Sequence, residues 1–123
     1  MKILLIALAS LFLTGCASNG LYQWGDYGSF DSKLYHSYRN PEKALEIRQG
    51  LALHISKMEA SQQKVAPGLY AELGTLNLQA GDVNKAIEMY IKERDAWPES
   101  RVLMDALIIN VTKRVSAKTE IKS

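Results

Sequence analysis

Few side chains in this chain of 123 residues have the type and spacing that catalysis or metal binding requires. The two histidines, His36 and His54, have no acidic partner in metal-ligand spacing. Gly25 and Gly28 lack the preceding strand and the following lysine of a phosphate-binding loop. The sequence therefore predicts no catalytic residue, no metal site and no cofactor. The one distinctive reactive side chain is that of the sole cysteine, Cys16.

Cys16 ends a segment with the features of a bacterial targeting sequence. Lys2 gives a positive start, and residues 3–13 are mostly apolar but too few for a comfortable membrane span. The run Leu13-Thr14-Gly15-Cys16 resembles the lipobox of bacterial lipoproteins, in which an aliphatic residue and two small ones precede the cysteine. This predicts a signal peptide over residues 1–15 and a diacylglycerol group on the thiol. The alternative, an ordinary signal peptide cut nearby, would leave a free thiol in an oxidising periplasm.

Lipidation of Cys16 would hold the protein on a membrane. Each buried CH₂ group of an acyl chain such as palmitate contributes about 0.8 kcal/mol, so two or three chains anchor the protein essentially permanently. The next residue is Ala17 rather than aspartate, which is similar to Gram-negative lipoproteins that are exported to the outer membrane. We take the periplasmic face as the default. Residues 16–21 form a short lipidated tether, which keeps the folded part close to the bilayer.

Composition limits the partners and the number of domains. A formal net charge of +2 argues neither for nucleic acid nor for an acidic ligand, and we expect no nucleic-acid partner. The hydrophobic fraction of 47% is enough for a core in one domain. We predict a single all-α domain over residues 22–115, followed by a polar, frayed tail over residues 116–123.

The centre of this domain is a helical hairpin predicted over residues 68–97. Leu69, Leu73 and Leu76 recur at helical spacing and form one apolar face. Gly81 can adopt the positive φ that ends a helix, and Asp82 can cap the helix that follows.

The hairpin resembles one tetratricopeptide (TPR) repeat, a helix–turn–helix of about 34 residues with a sparse pattern of large and small residues. The positions that match this pattern form the predicted repeat core: Tyr70, Leu73, Gly74, Gly81, Ala86, Tyr90 and Pro98. Two positions depart from the pattern. Asn77 occupies a position where an aromatic residue is usual, and Glu93 occupies one where alanine is usual.

A helix is predicted on each side of the hairpin. The first runs from about residue 41 to 62, because Asn40-Pro41 is a helix start and apolar residues recur on one face. The second runs from about residue 100 to 115, with Ser100 as its cap. This capping helix is apolar over a wide arc, so we expect other parts of the protein to cover it on more than one side.

The stretch from residue 22 to 38 is rich in aromatic residues. One interpretation is a patch that contacts the membrane interface or a partner, since tyrosine and tryptophan have an apolar body and a polar tip. The other is that the rings cover the open end of the helices. We favour the second, because a small domain needs its aromatic residues for the core.

Beyond the repeat, most of the sequence from Tyr22 to about Lys113 resembles the bacterial lipoproteins of domain-of-unknown-function family 4810. The matching stretches are Tyr22-Gln23-Trp24-Gly25-Asp26-Tyr27, Leu34-Tyr35 with Asn40-Pro41, Pro67-Gly68-Leu69-Tyr70, and Pro98-Glu99-Ser100 with Met104-Asp105. The resemblance implies an envelope lipoprotein, often encoded beside a lipoprotein similar to the curli secretion channel. It implies a role in assembly and no known activity.

Three functional hypotheses follow. The first is a lipid-anchored adaptor that binds another envelope protein, with a curli-channel-like lipoprotein as the candidate, in outer-membrane secretion or assembly. Its binding face would lie on the first hairpin helix at Ala71, Thr75, Leu78 and Gln79. The second is a self-associating structural subunit of an outer-membrane channel complex. The third, an enzyme acting on cell-wall material, lacks any candidate constellation, and we predict that the protein is not an enzyme.

Overall fold

The computed structural model describes residues 21–25 and 39–121. Within them the chain is all-α, which confirms the predicted fold class. The described elements are α1 (Pro41–Ala60), α2 (Leu69–Gln79), α3 (Val83–Ala96), a 3₁₀ turn (Pro98–Ser100) and α4 (Arg101–Glu120). The predicted signal peptide, Cys16, Ala17 and most of the aromatic segment lie outside the described residues.

Helix α1 begins where local sequence predicts it. The Asn40 side chain accepts a hydrogen bond from the Glu42 backbone N–H at 3.1 Å. Proline has no backbone N–H, so Pro41 leaves no donor without an acceptor in the first turn. The helix ends at Ala60, slightly before the predicted residue 62, because Gln62 takes a positive φ of 56°. Its inner face buries Leu51, Ile55 and Met58, which recur at helical spacing on the predicted apolar face.

The hairpin α2–α3 turns at Gly81, which has a φ of 84°. The Gly81 N–H donates to the Leu78 carbonyl at 3.0 Å, and the Asp82 N–H donates to the Asn77 carbonyl at 2.9 Å. The Asp82 carboxylate then accepts from the Lys85 N–H at 3.3 Å and caps α3. The predicted turn and cap are confirmed.

Successive helices pack on one another, α1 on α2, α2 on α3, and α3 on α4. One core cluster joins α1, the following linker and α2, and Met89 extends it to α3. A second cluster joins α3 to α4 through Ala86, Tyr90, Met104 and Val111. Tyr22 packs edge-on against Trp97 with ring centroids 5.3 Å apart, so this part of the aromatic segment contributes to the core.

Helix α4 differs from its prediction in three respects. Ser100 makes no capping bond, because its hydroxyl donates to Glu93 Oε1 at 3.2 Å. The helix extends to Glu120, and within this extension the Ser116 and Thr119 hydroxyls donate to carbonyls one turn earlier. The expectation that α4 would be covered on more than one side is wrong.

The outer side of α4 is open because α3 supplies its main contact. Met104 and Val111 face the core, whereas Val102 is 84% exposed and Leu103 61% exposed on other sides of the helix. The wide apolar arc therefore divides into a buried face and an open one.

Candidate functional site

Most of the predicted repeat-core residues lie at the crossing of α2 and α3. A Cβ atom added to Gly74 would lie 2.7 Å from the Tyr90 ring, so this close approach requires glycine. Ala86 and Tyr90 are almost fully buried in the second cluster, and Tyr70 and Leu73 are buried in the first.

The other two predicted core residues lie at ends of helices. Gly81 forms the turn between α2 and α3, and Pro98 opens the 3₁₀ turn that follows α3. All seven predicted core positions therefore belong to the hairpin or its immediate exit.

Both residues that depart from the repeat pattern are buried. Asn77 is 6% exposed and Glu93 is 1% exposed, and they are the buried polar or charged residues of the part of the chain that the structure describes. A buried polar group without a partner costs free energy, so each requires a physical account.

Glu93 links three elements of the fold. Its Oε1 accepts a hydrogen bond from the Gly68 backbone N–H at 2.8 Å and from the Ser100 hydroxyl at 3.2 Å. The carboxylate therefore lies at the positive N-terminal end of α2 and at the start of α4. Glu93 Oε2 and Trp97 Nε1 are buried without a hydrogen-bond partner among the described residues.

Asn77 has no such connections through its side chain. Its backbone carbonyl accepts from Asp82, but its side-chain amide makes no hydrogen bond with another described residue. The side chain instead lines an open groove between α1 and α3. We call this the α1–α3 groove.

The α1–α3 groove has a volume of about 450 Å³. Its lining includes four apolar residues, Ala52, Ile55, Leu73 and Met89. Charged residues from both walls also line it: Arg48, Glu59, Asp82, Lys85, Glu88 and Lys92. A smaller cavity of about 230 Å³ shares Arg48 with the groove and lies between the start of α1 and the end of α2.

Most charges of the groove are paired. Lys92 Nζ lies 2.9 Å from Glu59 Oε1 and 3.8 Å from Glu88 Oε1, and Lys85 Nζ lies 3.2 Å from Asp82 Oδ2. Arg48 makes no salt bridge with a residue that the structure describes. These exposed pairs contribute little to stability. Lys85 lowers the pKa of the Asp82 carboxyl, and the partly exposed Arg48 adds a smaller through-space effect of the same sign.

Glu59 and Tyr70 form a hydrogen-bonded pair at the edge of the groove. The Tyr70 hydroxyl donates to Glu59 Oε1 at 2.9 Å. The hydrogen bond from Lys92 lowers the pKa of the Glu59 carboxyl, and Tyr70 lowers it further against the opposing effect of burial. Burial raises the pKa of the Tyr70 phenol, and its bond to Glu59 adds to that effect.

The predicted binding face on α2 is only partly accessible. Ala71 and Leu78 are half-buried against the second cluster. The Thr75 hydroxyl lies within hydrogen-bond distance of the Ala71 carbonyl at 3.1 Å and of the Tyr90 hydroxyl at 3.2 Å. Gln79 is exposed. Spacing within α2 could not show this, because the second cluster that half-buries Ala71 and Leu78 is formed by side chains of α3 and α4.

Helix α4 carries a second accessible surface. Exposed apolar residues recur on the side away from the core, and we call this the α4 outer face. Its members are Val102, Leu103, Ala106 and Ile109.

A family model described as "Domain of unknown function (DUF4810)" matches residues 21–107. The chain belongs to this family. The match covers α1, α2, α3 and the first two turns or so of α4. It therefore contains the whole α1–α3 groove and most of the α4 outer face. No curated protein and no solved structure matches the chain.

The described part of this DUF4810 chain contains no group of three metal-ligating side chains. His54 Nε2 lies 3.0 Å from the Gln23 carbonyl, while His36 is outside the described residues. None of the helices α1–α4 is long and apolar enough to cross a membrane.

Sequence reasoning missed both surfaces of this DUF4810 domain. The unusual Asn77 was a signal for the groove, and the wide apolar arc of α4 was a signal for the outer face.

Proposed function

We propose that this protein is a lipid-anchored adaptor of the cell envelope that binds another envelope protein through a TPR-like helical surface. The observation that carries the proposal is the α4 outer face. A single repeat hairpin cannot bury its own faces, so helices must be added on each side. Here α1 and α4 are the added helices, and α4 in turn exposes an apolar face of its own.

The shape of the α4 outer face favours a helix of the partner as its occupant. Val102, Ala106 and Ile109 follow one another by four and three residues, which forms a straight stripe along a helix. The small Ala106 lies between larger residues and lets a second backbone approach closely. A partner helix packed in this way would lie on α4 as α4 lies on α3, and would add one helix to the stack.

The membrane part of the proposal rests on the sequence around Cys16. The lipobox-like run Leu13-Thr14-Gly15-Cys16 supports an acyl anchor, and Ala17 supports the outer membrane as its place. The folded domain begins close to Cys16, so its partner would lie at or near the same membrane. We propose a curli-channel-like lipoprotein as the candidate partner, on the family resemblance described above.

In-cell photo-cross-linking tests the adaptor proposal. A photoreactive residue at Leu103 of the tagged, lipidated protein should trap one envelope protein, identified by mass spectrometry. The double variant L103E/I109E should abolish that product. The matched control L53E alters an exposed leucine of α1, which is 58% exposed, and should leave the product intact. Equal cross-linking in all variants would reject the α4 outer face as the binding surface.

The same face favours one alternative, a self-associating subunit of an outer-membrane channel complex. In an antiparallel pair about a two-fold axis, Val102 of one copy would meet Ile109 of the other. Sedimentation of the purified protein would separate the two proposals. A mass that doubles with concentration, and stays monomeric in L103E/I109E, supports self-association, whereas a constant monomer mass supports the adaptor.

A further inference from the structure

We propose that the α1–α3 groove binds an extended peptide segment with an acidic side chain, and that Asn77 bonds to the peptide backbone. This site is separate from the α4 outer face, so either proposal can fail without the other.

The first argument is the state of Asn77. The residue is 6% exposed and lines the groove, yet its side-chain amide bonds to no other described residue. A primary amide presents a donor and an acceptor in one plane. A peptide backbone in extended conformation offers the complementary acceptor and donor. A helical ligand does not, because its backbone groups are already bonded to one another.

The second argument is the shape of the groove. One wall extends along α1 from Arg48 to Glu59, and the other extends along α3 from the Asp82 cap to Lys92. At the rise of an α-helix each wall is about 15–17 Å long. An extended chain covers that distance with about five residues. The apolar side chains between the walls provide a surface on which every second side chain of such a peptide can pack.

The third argument is charge. Lys85 and Lys92 are paired with acids of the groove itself, whereas Arg48 has no salt bridge in the described part of the chain. A guanidinium binds a carboxylate through two parallel hydrogen bonds. An aspartate or glutamate of the peptide near Arg48 would therefore give this guanidinium a direct salt bridge.

The test uses the full-length lipidated protein in detergent and two pools of fluorescein-labelled, C-amidated pentapeptides. One pool has aspartate at the central position and the other has lysine, and the remaining positions are randomised. Fluorescence anisotropy should show at least tenfold tighter binding of the aspartate pool. N77L should weaken binding of that pool at least tenfold, and R48Q should remove the difference between the pools.

Two control variants keep the test specific. N84L and R101Q make the same chemical changes at exposed positions of α3 and α4 and should bind like the unaltered protein. L103E/I109E should also retain peptide binding, which separates this site from the adaptor face. The midpoint of thermal unfolding of N77L should equal or exceed that of the unaltered protein, because no hydrogen bond within the described chain is lost.

Several results would overturn the proposal. Binding of neither pool would do so, and so would equal binding by N77L and the unaltered protein. A lowered unfolding midpoint in N77L with unchanged peptide binding would assign Asn77 a structural role instead.

Discussion

Asn77 and Glu93 lie in the same hairpin, and both replace residues that the repeat pattern would make apolar. Both are buried, but the Glu93 carboxylate accepts two hydrogen bonds and the Asn77 amide makes none with the described chain. A buried polar group with partners holds the fold together. One without them, at an open groove, can bond to a ligand without breaking a bond of the fold.

The same contrast separates two larger regions. The junction around Glu93 joins the start of α2, the end of α3 and the start of α4. At the α1–α3 groove, the two helices are connected mainly through α2 and through the Lys92–Glu59 ion pair. We therefore expect substitutions at the junction to change stability, and substitutions in the groove to change binding.

The largest expected effect is that of Glu93→Ala. The change leaves the Gly68 N–H and the Ser100 hydroxyl without their acceptor, and we expect a loss of roughly 2–4 kcal/mol of unfolding free energy. Chemical denaturation of the purified protein measures it. Glu93→Gln keeps one acceptor oxygen and should lose less. If Glu93→Ala were as stable as the unaltered protein, the junction would have no structural role.

The next effect is that of Leu78→Glu on the half-buried side of α2. From sequence alone, this change should weaken partner capture without unfolding the domain. Because Leu78 packs against the second cluster, we now also expect a loss of about 1–2 kcal/mol. Leu53→Glu, at an exposed leucine of α1, is the matched control and should leave unfolding unchanged. Circular dichroism during thermal unfolding distinguishes the two.

Asn77→Leu should change stability least among the buried positions. No bond is lost and apolar area is gained, so we expect between no change and a gain of about 1 kcal/mol. The change in unfolding free energy, measured by chemical denaturation, is to be compared with that of Glu93→Ala. A loss as large as that of Glu93→Ala would show that both buried polar groups hold the fold, and the contrast between them would disappear.

Glu59 has a salt-bridge partner, and Glu72 has none among the described residues. The two acids should therefore change the free energy of unfolding in opposite directions as the pH rises. The Lys92 hydrogen bond lowers the pKa of Glu59, so its contribution is present above the unfolded pKa and is lost as the pH falls below about 4.5. Burial raises the pKa of Glu72, which makes no salt bridge with a described residue. The cost of its charged form therefore appears as the pH rises above the ordinary glutamate pKa of 4.5.

Substitution by glutamine tests these signs. Glu59→Gln should lower stability at pH 7 by a few tenths of a kcal/mol, with the difference disappearing near pH 3. Glu72→Gln should raise stability at pH 7 and also converge at low pH. Denaturation curves at pH 3, 5 and 7 measure both. Two shifts of the same sign at pH 7 would contradict the assigned causes.

Local sequence alone determined where most helices begin and end. Asn40-Pro41 starts α1, Gly81 turns the hairpin and Asp82 caps α3, because a cap or a turn depends on atoms only a few residues apart. The spacing of apolar residues likewise determined the inner faces of α1 and α2. These signals were sufficient to predict an all-α hairpin between two flanking helices.

Only the tertiary structure decided which side chains these helices leave accessible. Ser100 bonds to Glu93 instead of capping α4, Leu78 is covered by the second cluster, and the outer side of α4 stays open. The groove at Asn77 forms between α1 and α3, whose facing residues are far apart in the chain. The burial of a side chain and its hydrogen-bond partners depend on contacts between distant segments, and no local pattern of residues specifies those contacts.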